Sequence, residues 1–162
     1  MISMKYKYSF HALIFLLVFL VQIYFPVINI GEIHIQPDIA LLYVTVLSIL
    51  YGRFFGVLIG FFIGLLQDFS TQAELLGILS LSKSIAGYCI GSIFNYKTIW
   101  PIKIQYVVII ISYIIHFFIY FYLFARTIFD IYYLTIFIIL HSIIVFILFL
   151  LFDRLVYRNK LL

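Results

Sequence analysis

The stretch IALLYVTVLSILYGRFFGVLIGFFIGLL, Ile39–Leu66, holds the decision about this fold. It contains two apolar runs, Ile39–Tyr51 and Phe54–Leu66, separated only by Gly52 and Arg53. Crossing about 30 Å of hydrocarbon takes roughly 20 helical residues, with about 17 as the lower limit. As one long helix, the stretch carries Arg53 to the bilayer centre at a cost of about 2.5–3.5 kcal/mol or more. As two spans joined by a tight hairpin, it keeps Arg53 at the interface. The arms then need Gln36–Asp38 and Gln67–Ser70 to lengthen them. The hairpin is the expected arrangement.

The rest of the chain is of the same kind. Of its 162 residues, 67% are hydrophobic and 10% charged, against roughly 45–50% and about 25% in a typical globular chain. A soluble fold of this length cannot hide so much apolar surface. The expectation is an all-α integral membrane protein, a compact bundle forming one transmembrane domain over residues 1–162. Its spans fall at about 10–28, 36–51, 54–70, 76–94, 104–124 and 131–152. Lys5 and Lys7 ahead of the first run imitate a signal peptide, but no small-residue cleavage site follows, so it reads as an uncleaved span. Cys89 is the single cysteine and forms neither an internal disulfide nor a cysteine-rich metal site. A net charge of +4, carried by basic residues scattered singly, gives no footprint for nucleic acid.

Basic residues orient such a bundle, because Lys and Arg accumulate in cytoplasmic loops. With six spans and both termini inside, Lys5, Lys7, Arg53, Lys97, Lys103, Arg154, Arg158 and Lys160 are cytoplasmic. Arg126 falls outside and Lys83 lies within a span, while Glu32, Asp38, Asp68, Glu74 and Asp130 occupy external loops. Five spans would put Arg154, Arg158 and Lys160 outside, against the rule.

Gly52, Gly56, Gly60 and Gly64 recur every fourth residue, leaving a bare groove along one helix face where another backbone can approach. That face serves either a partner protein or packing within the bundle. In the next span Gly77, Ser80, Ser84, Gly87 and Gly91 share a face, and Lys83 lies beside it. An ionisable residue at such depth needs a named partner. Asp68 and Glu74 are the nearest carboxylates in sequence, and the alternatives are a snorkelling ammonium or a purely structural ion pair. His116 and His141 fall near mid-membrane in adjacent spans. A metal requires further ligands that this depth does not supply, so hydrogen bonding between the two helices is the plainer expectation.

Gly-x-Ser-x-Gly, a phosphate-cradling glycine loop, His-Glu-x-x-His and an intramembrane carboxylate pair are all missing from the sequence. The residues therefore suggest no catalytic, cofactor or metal site.

The order of the remaining features is distinctive. Pro37-Asp38-Ile39-Ala40-Leu41-Leu42 opens a short span, and Gly56-x-x-x-Gly60-x-x-x-Gly64 runs to Leu66-Gln67-Asp68. Leu75-Leu76-Gly77 then leads through Ser80-Leu81-Ser82-Lys83-Ser84 to Gly87-Tyr88. This resembles the MreD family of rod shape-determining bacterial membrane proteins over roughly residues 37–91. The resemblance implies a noncatalytic scaffold of the cell-elongation complex in the cell membrane, maintaining rod shape by organising lateral-wall peptidoglycan synthesis. Implied partners are MreC, RodA with its transpeptidase and, through them, the MreB filament, besides the lipid bilayer. The family is also similar in outline to the substrate-binding subunits of energy-coupling-factor vitamin transporters, which supply the alternative reading.

Overall fold

Two prolines set the first boundaries. Helix α1, Ile2–Tyr24, stops just before Pro26, whose ring cannot continue it. The apolar run read as reaching residue 28 therefore ends in extended chain. Ile28–Ile30 (β1) pairs antiparallel with Ile33–Ile35 (β2), in the register Ile28 opposite Ile35 and Ile30 opposite Ile33. Helix α2, Ile39–Tyr51, then opens behind Pro37-Asp38. The Asp38 side chain caps it by accepting the Leu41 N–H at 2.8 Å. These features come from a computed structural model, which describes residues 2–30, 33–71, 76–125, 131–157 and 161–162.

Gly52 joins α2 to α3, Arg53–Ser70, with φ +86, a backbone conformation that side chains rarely tolerate. The hairpin expected from Arg53 is thus present. Gly77, with φ +102, begins α4, Ile78–Tyr96. Helices α5, Ile102–Ala125, and α6, Ile131–Phe152, follow, and α6 relaxes into a π-helical turn over Asp153–Tyr157. Among the described residues, three stretches are long and apolar enough to cross a membrane, Arg53–Ser70, Ile102–Leu123 and Ile131–Val156, whereas Ile39–Tyr51 is a shorter apolar helix.

Helix α4 is central, packed against α2, α3 and α5; α6 closes on α5 and α1 lies outside α2 and α3. One apolar core gathers Leu41, Ile49, Ile90, Tyr113, Val145 and Phe149 from α2, α4, α5 and α6. A smaller one sets Ala40, Val44 and Ile63 against Phe15 and Val18 of α1. Large apolar side chains also cover the outside, among them Leu16, Phe62, Ile111 and Ile143. For a surface meant for lipid this is the correct polarity.

Candidate functional site

Buried charge marks the place to look, since an ion deep in such a bundle persists only when paired. Lys83 and His116 are 0% exposed and Asp38 is 7% exposed. The Lys83 ammonium on α4 donates to Asp38 Oδ2 at the head of α2, and His116 Nε2 on α5 stands 3.4 Å from the same oxygen. A single carboxylate therefore caps its own helix with one oxygen and meets two further helices with the other. Two turns into α2, Thr45 and Tyr113 of α5 share a buried hydroxyl–hydroxyl bond of 2.9 Å. Gln22 of α1 ties down the same corner, donating to Pro37 O at 3.3 Å and accepting from Ala40 N at 3.1 Å.

Lys83 is therefore not paired with Asp68, one of the two carboxylates nearest to it in sequence; Glu74, the other, lies outside the described residues. Asp68, itself 0% exposed, does different work. Its Oδ2 accepts from Gly77 N at 3.1 Å, Ser80 N at 3.2 Å and Ser80 Oγ at 3.1 Å, and its Oδ1 accepts from Leu79 N at 3.1 Å. Gly77 has no side chain with which to cap α4. The last turn of α3 supplies the missing acceptor, placing negative charge at the helix start where the backbone dipoles favour it.

From the Asp68 end back to Arg53, α3 and α4 meet along a glycine seam. A Cβ on Gly60 would stand 2.6 Å from Lys83 O, and one on Gly64 2.6 Å from Leu79 O. Gly56 and Gly87 meet backbone to backbone, and Gly91 rests on Arg53. Ser84 Oγ donates to Ser80 O at 2.7 Å and lies 3.4 Å from Val57 O across the seam. Of the two uses open to the glycine face, packing within the bundle is the one observed: α4 covers it. Gly52 belongs to the hairpin turn, where a Cβ would stand 3.1 Å from the Phe94 ring.

A model of the family described as rod shape-determining protein MreD matches residues 4–157. The chain belongs to the MreD family. No curated protein and no solved structure matches it. As a family member it is a membrane protein with a role in rod shape determination.

The residues that carried the resemblance to MreD are largely those that the structure joins. Pro37-Asp38 supplies the cap and the ion pair, Gly56, Gly60 and Gly64 form the seam, and Asp68, Gly77 and Ser80 form the shared helix start. The two histidines do not bridge their helices. His141 Nδ1 lies 2.8 Å from Phe137 O on its own helix, amid Phe117, Phe121 and Phe137, while His116 faces Asp38. Gln22, Thr45 and Tyr113 were not singled out by sequence. Gln22 alone gave a signal, as an amide inside an apolar run.

Proposed function

We propose that this MreD-family chain is a noncatalytic scaffold of the bacterial cell-elongation complex. It is a multi-pass protein of the cell (inner) membrane, with six spans and both termini cytoplasmic. It organises lateral-wall peptidoglycan synthesis by holding MreC and RodA with its transpeptidase, and through them the MreB filament. Family membership over residues 4–157 carries this reading. The use of the buried polar groups supports it. Asp38, Lys83, Asp68, Thr45 and Tyr113 are used in contacts between the chain's own helices, so what the described residues offer others is mainly an apolar outside.

A vitamin-transporter subunit needs a cavity with convergent polar groups. One groove among the described residues, of about 450 Å³ beside α1 and α3, is lined by Phe15, Ile59, Phe62, Leu65, Leu66 and Phe69 and offers no such groups. Tagged protein, extracted from membranes in mild detergent, is expected to bring MreC and RodA with it and to restore rod shape to cells lacking their own copy. Recovery without either partner, together with tight binding of a vitamin, would replace the scaffold by the transporter reading.

A further inference from the structure

Asp38 Oδ2 is a single acceptor placed between two groups able to carry positive charge. Lys83 Nζ donates to it and His116 Nε2 waits 3.4 Å away. The imidazole is fully buried, and neither of its nitrogens makes a hydrogen bond of good geometry. The groups facing it are few: Asp38 from α2, and Lys83 with the Ser82 backbone from α4. From α6, His141 shares the Phe117 ring with it and is itself bound to Phe137 O. On α5 its neighbours one turn away are Tyr113, held by Thr45, and Tyr120, which has contacts of its own.

We propose that this cluster is a proton-binding site: His116 takes up a proton and replaces Lys83 at Asp38 Oδ2. With a neutral imidazole the three groups sum to zero charge, one carboxylate against one ammonium. An added proton on the imidazole leaves one cation too many for a single buried carboxylate. Lys83 has somewhere to go. Side chains on a helix lean toward its N-terminus, and one turn in that direction Ser80 holds Asp68. Asp68 Oδ1 accepts only the Leu79 N–H among the contacts described. Swinging its flexible stem outward, the Lys83 ammonium trades Asp38 for Asp68 and keeps its own proton. Both carboxylates then face one cation each. The effect is mechanical: the ionic tie on the head of α2 passes from α4 to α5, while the glycine seam keeps α4 fixed on α3.

The test uses full-length protein in detergent micelles, with His11, His34 and His141 replaced by Gln and the remaining imidazole carbon-13 labelled. The His116 signal is followed by NMR from about pH 5 to pH 8.5, the range in which histidines change charge. The proposal expects a single titration step. Lys83→Met, which leaves Asp38 to the imidazole alone, raises its midpoint by about one pH unit, a roughly tenfold gain in proton affinity. Asp38→Asn lowers it. A signal that stays flat in both the parent and Lys83→Met, or a midpoint indifferent to Asp38→Asn, overturns the proposal. If Lys83→Met yields no folded protein, the pH dependence of Tm decides. Its loss in His116→Gln supports the site, and an unchanged dependence removes it.

Discussion

Lys83 lies 45 residues from the carboxylate it meets. The carboxylate it does not meet, Asp68, is far closer along the chain, and closeness along the chain is all that a sequence offers. A buried lysine was legible because its desolvation demands a partner. The partner was not, because α2 and α4 pack directly on each other in the fold but are separated along the chain by the whole of α3. Removing one member of such a pair leaves a lone buried charge, at a cost of about 3–5 kcal/mol. Asp38→Asn and Lys83→Met, measured at pH 8, are therefore expected to lower yield and resistance to denaturant sharply. Exchanging the two, Asp38→Lys with Lys83→Asp, regains part of the loss. The same exchange between Asp68 and Lys83 regains nothing, because Asp68 answers backbone N–H groups. Asp68→Ala strands those of Gly77, Leu79 and Ser80 at about 1–3 kcal/mol. A double-mutant cycle on denaturant midpoints separates the two carboxylates.

Two kinds of glycine hold α3 and α4 together, and they are expected to fail differently. At Gly60 a methyl group meets the Lys83 carbonyl at 2.6 Å, so two helix backbones must separate to admit it. Gly60→Ala is expected to cost about 1–3 kcal/mol through overpacking, and Gly60→Leu to abolish folded protein. At Gly77 there is open space, and the penalty is only the left-handed φ of +102, about 1 kcal/mol. Size should therefore matter at Gly60 and hardly at all at Gly77. Thermal melting of Ala and Leu variants at each position checks this. The four-residue glycine spacing and the turn at Gly52 were legible because both follow from sterics within one segment. The β1–β2 hairpin was not read, although its signal is present: Ile28-Asn29-Ile30 and Ile33-His34-Ile35 alternate with period two. The pull of the neighbouring apolar run masked it.

Across the whole molecule, lipid replaces water as the solvent, so apolar burial cannot drive the helices together. What orders the bundle is instead a short set of specific contacts: the glycine seam, the shared cap at Asp68, the carboxylate at Asp38 and the Thr45–Tyr113 bond. All bear on α2 to α5. Among the described residues, helix α1 adds the Gln22 clamp at the head of α2, so Gln22→Leu is expected to loosen α1 and to spare the α3–α4 seam. Cysteine pairs placed across each interface and scored for disulfide formation distinguish the two. The topology proposed above is tested in intact cells in a Cys89→Ser background. Cysteines at Asn95 and Asn159 should be shielded from an impermeant thiol reagent, and one at Glu32 should react.

The ties at Asp38 also impose a schedule on biosynthesis. At about 5–20 residues per second, Asp38 leaves the ribosome roughly 2–9 s before Lys83, and His116 follows later still. During that interval α2 is a 13-residue helix about 20 Å long, too short to cross the bilayer alone and carrying a carboxylate with no cation to meet. The newborn α2–α3 hairpin must therefore wait at the membrane surface or against the insertion machinery until α4 arrives with both the ammonium and a backbone for the glycine groove. In ribosome-tethered chains carrying Cys89→Ser and stopped so that Ser70 is the last residue exposed, a cysteine placed at Val46 of α2 should react with a water-soluble thiol reagent. In those stopped beyond Tyr96 it should resist the reagent.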